Sequence, residues 1–307
     1  KRQWVIISLL FCLGLLIGLK YTVPPVGISF YTFQTLSYVL DVYGNQESAE
    51  KNFGRYLLFV SFFPQLVAGP VERSGNLLPQ LKKIQRFRKE DMAEGFWLII
   101  RGFFKKIVVA DQMAPYVDRI FGAPAEVNGI AAVLGTIFFA IQIYCDFSGY
   151  TDIARGSARM FGISLMENFR HPYRAGNIQE FWHRWHISLT KWFTDYVYIP
   201  LGGSKKGLLR QCINIGIVFG LSGFWHGASW NYVVWGFLHG SFLVGYTLYR
   251  KYTPVKETGV FRKTASWAFT MLLVCAAWIF FRSPDIGSAL AMISRIISEP
   301  FTGGITA

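Results

Sequence analysis

Hydrophobic residues occur in long runs along the chain, and short polar stretches separate these runs. The longest runs cover residues 5–19, 27–42, 56–71, 130–144, 208–224, 230–249 and 265–281. A helix needs about 20 predominantly apolar residues to cross a hydrocarbon core of about 30 Å, and most of these runs approach that length. The pattern therefore predicts an all-α protein built as a polytopic bundle of transmembrane helices.

Two of these runs are not uniformly apolar. Residues 27–42 contain several hydroxyl groups and one amide, which inside a membrane must face protein or a wet cavity rather than lipid. We therefore expect this run to form a helix in the interior of the bundle. Residues 56–71 are interrupted by Pro64 and by the Gly69-Pro70 pair, which favour a broken segment.

A further segment, residues 91–113, mixes apolar residues with three cations. Arg101, Lys105 and Lys106 recur at helical spacing among the apolar positions. This pattern is typical of an amphipathic helix that lies in the membrane interface. The predicted fold is thus a transmembrane helical bundle that also contains re-entrant or interfacial helices.

Composition supports a membrane protein and argues against a soluble one. The chain has 307 residues, of which 52% are hydrophobic, 17% are aromatic and only 16% are charged. The formal net charge is +13, but the basic residues form short clusters between apolar runs, the densest at residues 82–89. Cytoplasmic loops of membrane proteins have this bias, so we interpret the charge as a topological signal and predict no nucleic-acid partner.

The cysteines and histidines do not indicate a metal centre. Each cysteine lies in or beside an apolar run, without a CxxC pair, so we interpret them as packing residues: Cys12, Cys145, Cys212 and Cys275. His183 and His186 are three residues apart, a spacing that could serve a metal. No further ligand stands at a convincing spacing, and we predict neither a metal site nor a disulfide.

Residues 179–203 do not fit a lipid-facing pattern. They combine Trp182, Trp185 and a third tryptophan with two histidines and charged residues, and apolar runs flank the segment on both sides. Asp195 and Glu180 could each orient a histidine, or could simply neutralise nearby cations. Tyr198 is typical of the aromatic belt at a membrane interface.

The runs 208–224 and 230–249 predict a helical hairpin with His226 in its turn. Both runs carry a basic cluster at the end far from Trp225-His226, which places those ends on one side of the membrane. A helix from residue 211 to residue 223 rises only about 20 Å, so we expect His226 to lie within the bilayer. Ionisable residues at that depth are costly, which makes a functional role the leading hypothesis. The alternative is a histidine that is hydrogen-bonded to a neighbouring helix.

Five motifs in this order make the chain resemble a known family. They are GISFYTF (27–33), FPQLVAGP (63–70), FWHRWHISL (181–189), YIPLGG (198–203) and FWHGASWN (224–231). Together they resemble the membrane-bound O-acyltransferases (MBOATs), and within them the bacterial alginate O-acetyltransferase branch. His183 departs from the family pattern, where arginine is usual, and receives no role.

The resemblance implies an MBOAT-like fold around a central tunnel, with a catalytic pair of histidines. Carried onto this sequence, the pair is His226 and His186. The resemblance also implies an acyl donor that enters from the cytoplasm. We expect the tunnel or substrate site to be lined by Trp182, Trp185, Asp195, Trp225 and Tyr198. We expect residues 1–307 to form one membrane-embedded acyltransferase domain, shorter than family members at one or both ends.

The expected function is transfer of an acetyl group from a cytoplasmic thioester, acetyl-CoA, towards hydroxyls of an extracytoplasmic polysaccharide. The expected partners are this donor, membrane lipid, and the polysaccharide or a periplasmic acetyltransferase protein, in a multi-pass protein of the bacterial inner membrane. No bound cofactor is expected. Two alternatives remain: D-alanyl transfer to teichoic acid from a carrier-protein thioester, and a transporter or channel with a buried proton or polysaccharide path.

Overall fold

Helices form all the regular structure in the part of the chain that the computed structural model describes, which is residues 2–20, 27–66, 69–83, 86–253 and 259–299. The α-helices are α1 (Arg2–Lys20), α2 (Ile28–Tyr43), α3 (Phe53–Val60), α4 (Phe63–Leu66), α5 (Ser74–Lys82), α6 (Lys89–Phe103), α7 (Asp111–Gly122), α8 (Gly129–Met160), α9 (Ile178–Arg184), α10 (Ile187–Phe193), α11 (Leu208–His226), α12 (Trp230–Tyr252), α13 (Val260–Arg282) and α14 (Ile286–Ser298). Two π-helical segments, Phe104–Ala110 and Thr194–Tyr198, and a short 3₁₀ turn, Pro172–Arg174, complete these elements. The all-α prediction is confirmed.

The chain divides into two compact units, each built from several stretches of sequence. The first unit comprises Lys1–Lys106, Phe147–Asn168 and His186–Trp192. The second comprises Ile107–Asp146, Phe169–Trp185 and Phe193–Ala307. Helix α8 therefore begins in the second unit and ends in the first. That residues 1–307 act as one domain stays a prediction.

Four helices within the described residues are long and apolar enough to cross a membrane: α1, α8, α11 and α13. The predicted helices at 5–19, 130–144, 208–224 and 265–281 are confirmed, and α12 covers the predicted run 230–249. The run 56–71 is broken, as expected, into α3 and α4. Pro64 is the second residue of α4, where a missing N–H costs little. Residues 67 and 68 of the FPQLVAGP motif lie outside the described residues.

Helix α2 turns its polar side chains towards protein, as its sequence predicts. Thr32, Gln34 and Ser37 are buried within the first unit. The Gln34 amide donates to the Phe59 carbonyl at 2.7 Å, and Gln65 donates to the Gln34 side-chain oxygen at 2.8 Å. Both side-chain NH₂ groups and the Gln34 oxygen thus find protein partners that lipid could not supply.

The predicted amphipathic segment 91–113 lies within α6, the π-helical segment Phe104–Ala110 and the start of α7. Two of its three cations share a protein partner that the sequence did not reveal. In the first unit, Arg101 makes two hydrogen bonds to the carboxylate of Asp152, at 3.0 and 2.9 Å, and Lys105 makes one at 2.7 Å. Asp152 is only 4% exposed. A buried carboxylate requires such partners, which explains an acidic residue in the apolar helix α8.

An aromatic core fills the second unit. It contains large side chains from α9, α11, α12 and α13, among them Phe181, Trp182, Trp185, Trp235 and Trp278. Helices α11 and α12 approach each other closely at two glycines. A Cβ atom on Gly223 would lie 2.3 Å from the Tyr232 carbonyl oxygen, and one on Gly236 would lie 2.3 Å from the Phe219 carbonyl oxygen. Small residues permit this tight hairpin, which ends at His226.

The length argument for the depth of His226 is wrong. Helix α11 has 19 residues, from Leu208 to His226, and rises about 28 Å. It begins three residues earlier and ends three residues later than the segment assumed from the sequence. Because this length is close to that of a full membrane span, it no longer places His226 inside the bilayer.

Candidate active site

His226 is the last residue of α11 and lies in an aromatic cage within the second unit. Its imidazole centroid is 4.7 Å from Trp225, 5.0 Å from Trp235 and 5.1 Å from Phe281. Tyr232 lies 6.2 Å away. The histidine is half-buried, so the cage restricts the ring and leaves part of it accessible. This combination is what a positioned acid–base group requires.

A cavity of about 260 Å³ adjoins this cage. Its lining consists of Phe139, Gln142, Ile143, Asp146, Tyr232, Phe281 and Arg282. Tyr232 and Phe281 are ring neighbours of His226, so the cavity and the histidine share a wall. The side-chain oxygen of Gln142 is buried without a hydrogen-bond partner in the described chain. A polar cavity with an unused acceptor suits a ligand that carries hydroxyl groups.

His186 occupies a different environment, in the first unit. It lies between the end of α9 at Arg184 and the start of α10 at Ile187, and only 4% of it is exposed. Its φ of 43° is in the left-handed region, which non-glycine residues rarely occupy. The Phe147 ring meets the imidazole edge-on at 4.6 Å. Such backbone conformations cluster at functional sites, so the geometry favours a role beyond packing.

Asn168 fixes the tautomer of His186. The Asn168 side-chain oxygen accepts a hydrogen bond from the Ser188 backbone N–H at 3.2 Å and from the Ser188 hydroxyl at 2.9 Å. A backbone N–H can only donate, so this amide atom must be the oxygen. The Nδ1 atom of His186, 3.1 Å from the same oxygen, must then carry its hydrogen. In the neutral imidazole the lone pair is therefore on Nε2.

The loop after α4 anchors this histidine segment. The backbone N–H of Val71, the residue that follows the FPQLVAGP motif, donates to the Ser188 hydroxyl at 2.9 Å. The neighbouring Glu72 is fully buried and accepts a hydrogen bond from the Asn76 amide at 2.7 Å. Burial raises the pKa of the Glu72 carboxyl above its usual range, although this hydrogen bond opposes the shift. Within the first unit, the loop that begins at Gly69 is thus hydrogen-bonded to the segment that carries His186.

The other predicted site residues lie in the second unit. Trp182 and Trp185 are buried in its aromatic core, and Trp225 packs on His226. Tyr198 is half-buried against the same core, whereas Asp195 is exposed on the π-helical segment Thr194–Tyr198. Their assignment to a tunnel stays a prediction. The Glu180 carboxylate accepts a hydrogen bond from the Arg184 guanidinium, so it neutralises a nearby cation, the second of the two roles considered for it.

Residues 45–283 match the membrane-bound O-acyltransferase family, MBOAT. The chain belongs to this family. It is 39% identical to the probable alginate O-acetylase AlgI of Pseudomonas putida over 91% of its length and 56% of the relative. It is 34% identical to the peptidoglycan O-acetyltransferase of Helicobacter pylori, with 97% of the chain and 65% of the relative covered. These matches confirm the resemblance read from the motifs, including its alginate branch.

A third relative transfers a different group. The teichoic acid D-alanyltransferase of Bacillus subtilis is 30% identical over 74% of the chain and 60% of the relative. The MBOAT chain thus spans between about half and two thirds of the length of these relatives. With its apolar helices, it is a multi-pass membrane protein.

His239 was not among the residues singled out from the sequence, but the fold of this MBOAT chain makes it conspicuous. It lies on α12, is fully buried, and neither ring nitrogen has a hydrogen-bond partner among the residues described. Its ring is 4.9 Å from Trp182 and 5.1 Å from Trp235. Trp235 also contacts His226, so the Trp235 indole lies between the imidazoles of His226 and His239. The sequence signal that could have indicated His239 is its position one helical turn after Trp235.

Proposed function

We propose that this protein is a membrane O-acyltransferase that moves an acetyl group from a cytoplasmic thioester, acetyl-CoA, towards hydroxyls of an extracytoplasmic polysaccharide. Family membership and two O-acetyltransferase relatives support acyl transfer and the acetyl group. The observation that carries the proposal is the caged, half-buried His226 beside a polar cavity. Acetyl-CoA enters here as a substrate, not as a resident cofactor.

In the proposed reaction His226 is the general base. The neutral imidazole removes the proton from the acceptor hydroxyl while the hydroxyl oxygen attacks the thioester carbonyl carbon. The tetrahedral intermediate collapses, the carbon–sulfur bond breaks, and the imidazolium returns its proton to the leaving thiolate. The products are the ester and the free thiol, so atoms and charges balance. A positioned acid–base group of this kind contributes typically about 10²- to 10⁴-fold.

His186 would position the donor. With Nδ1–H held by Asn168, the neutral ring has its lone pair on Nε2, and this atom can act only as a hydrogen-bond acceptor. Polarising the thioester carbonyl would require a second donor hydrogen, which only the imidazolium has. The geometry therefore favours positioning over polarisation for the neutral form.

The acceptor side of the reaction and its location also belong to this proposal. We infer that the acetyl group goes to a polysaccharide or to a periplasmic acetyltransferase partner, at the inner membrane of a bacterium. Gln142, Asp146 and Arg282 give the cavity next to His226 the polar lining that sugar hydroxyls need.

D-alanyl transfer from a carrier-protein thioester is the second candidate. The teichoic acid D-alanyltransferase relative supports it, at a lower identity and over less of the chain than the acetyltransferases. The family match favours either enzyme over the transporter alternative.

The test uses purified full-length protein in proteoliposomes, supplied either with labelled acetyl-CoA or with a D-alanyl carrier-protein thioester. We expect thioester cleavage or acceptor labelling from acetyl-CoA alone. His226→Ala, recovered at the wild-type level with the wild-type melting profile, should lose this activity. Full activity in that variant would overturn the mechanism, and turnover of only the D-alanyl donor would replace the proposed acyl group.

A further inference from the structure

A groove of about 520 Å³ lies between α12 and α13, away from the His226 cavity. It is lined by Gly176, Asn177, Ile178, Ser241, Phe242, Gly245, Tyr246, Tyr249, Ser266, Phe269, Thr270 and Leu273. The α12 residues recur one turn apart from Ser241 to Tyr249, so the groove follows the helix axes for about 12 Å. The groove is therefore elongated along the helices.

The interior of the groove is mainly apolar. Phe242, Tyr246, Phe269 and Leu273 supply aromatic and aliphatic walls. The Thr270 hydroxyl donates to the Ser266 carbonyl within α13 at 2.7 Å, so its hydrogen is already used. An amide-rich donor arm would find few partners here, whereas a hydrocarbon chain would bury its surface favourably.

Apolar side chains that face outward border the groove. Phe269 is 60% exposed, and Leu272 on the same helix is 65% exposed. Helix α13 is among the candidate membrane spans, so these exposed side chains would face lipid in a bilayer. The groove is therefore accessible to lipid.

One end of the groove is strongly basic. The Arg262 guanidinium donates to the Tyr249 hydroxyl at 2.9 Å, directly at the lining. Arg250 and Lys251 in the last turn of α12, and Lys263 in the first turn of α13, add three cations. The described residues of these two turns include no carboxylate. Arginine and a tyrosine hydroxyl are suitable donors for a phosphate group.

We propose that this groove binds an anionic phospholipid, with its phosphate on Arg262 and Tyr249 and one acyl chain between α12 and α13. The apolar interior, the lipid-facing border and the basic end together specify this class of ligand. The inner end is lined by Phe242, whose ring is 5.9 Å from His239, and His239 in turn packs on Trp235 of the His226 cage. A bound acyl chain would thus support the wall behind the candidate base.

The proposal does not depend on the acyltransferase assignment, because binding is measured directly. Native mass spectrometry of the purified full chain, titrated with phosphatidylglycerol or phosphatidylcholine, should show preferential retention of phosphatidylglycerol. We expect Arg262→Gln to weaken phosphatidylglycerol retention by roughly three- to tenfold, the loss of one exposed charged contact. Neither Arg262 nor Lys263 lines the groove itself, but Arg262 donates to the hydroxyl of Tyr249, which does. Lys263→Gln removes the same charge from the neighbouring position and is therefore the matched control.

A second variant tests the acyl-chain part of the site. Ser266→Phe fills the groove from an exposed position and should also reduce retention of phosphatidylglycerol. Tyr249→Phe is a milder change, which removes only the hydroxyl at the phosphate end. Equal retention of the two lipids, equal effects of Arg262→Gln and Lys263→Gln, or unchanged binding by Ser266→Phe would each overturn the proposal. Variants are compared only when their size-exclusion profiles match that of the wild type.

Discussion

The side-chain oxygen of Asn168 lies 3.1 Å from Nδ1 of His186 and accepts its hydrogen, which makes the asparagine the residue that orients this imidazole. The same oxygen binds both the backbone N–H and the hydroxyl of Ser188, so one atom organises three donors. Asn168 is fully buried, and water cannot replace it. Asn168 is thus a positioning residue for His186.

Replacing Asn168 with alanine should therefore impair acyl transfer without removing either histidine. The change leaves the His186 Nδ1–H and the Ser188 N–H buried without their acceptor, at a cost of about 1–3 kcal/mol each. We expect at least a tenfold loss of kcat/KM, measured with labelled acetyl-CoA.

Asn168→Asp distinguishes a positioning role from general destabilisation. The carboxylate keeps the acceptor and the tautomer but favours the imidazolium form of His186. We expect partial rescue of activity relative to alanine and a displaced pH–rate profile. If aspartate and alanine impair the enzyme equally at every pH, Asn168 has only a structural role.

Gln142 provides a test of the cavity beside His226. Its buried side-chain oxygen has no protein hydrogen-bond partner within the described chain, so Gln142→Leu should leave the melting temperature unchanged or raise it. If the amide binds an acceptor hydroxyl, the same change should raise KM for the acceptor with little effect on kcat. Steady-state kinetics at varied acceptor concentration measure this split.

Gln34→Leu is the matched control for that substitution. Gln34 makes hydrogen bonds to Phe59 and to Gln65 in the first unit, and none to the cavity. The control should lower the melting temperature and leave acceptor KM unchanged. Gln142 would be ruled out as a binding residue if Gln142→Leu lowered the melting temperature with no change in acceptor KM, and Gln34→Leu raised acceptor KM.

The sequence predicted the helices well where apolar runs were uninterrupted, and less well where charges entered them. The apolar run that predicted a span here covers only residues 130–144, whereas helix α8 begins at Gly129. It continues to Met160, since Asp152 receives Arg101 and Lys105 from a helix about 50 residues away in sequence. That neutralisation depends on tertiary contacts, which a local pattern cannot show.

The candidate site was predictable only in part for the same reason. His226 and His186 stand in recognisable motifs, and the family match supports those motifs. The Asn168 side-chain oxygen orients His186, and its contacts with Ser188 show which amide atom is the oxygen. Nothing in the sequence around Asn168 indicates this role. His239 looks like one polar residue in an apolar helix until the fold surrounds it with aromatic rings.

His239 allows packing and polar roles to be separated. Because both ring nitrogens lack hydrogen-bond partners in the described part of the chain, the polar atoms themselves contribute nothing visible to stability. His239→Phe should therefore cost less than about 1.5 kcal/mol, whereas His239→Ala should cost about 2–5 kcal/mol through the cavity it leaves. Thermal unfolding in detergent measures both. A phenylalanine variant as unstable as the alanine variant would show that the nitrogens are bound in the native protein.

The close approach of α11 and α12 gives the last prediction, because it positions His226 at the end of the hairpin. A Cβ atom on Gly236 would lie 2.3 Å from the Phe219 carbonyl oxygen, a backbone atom that cannot move alone. Gly236→Ala should cost about 1–3 kcal/mol by overpacking. Activity should fall as the helices separate. Gly216→Ala, on α11, is the control: apart from the adjoining residues and backbone of its own helix, the described structure has no atom within 4 Å of the added Cβ. Because alanine favours helix more than glycine, this control should raise stability slightly, by up to about 1 kcal/mol. Equal melting temperatures for the two variants would mean that the hairpin is looser than its glycines indicate.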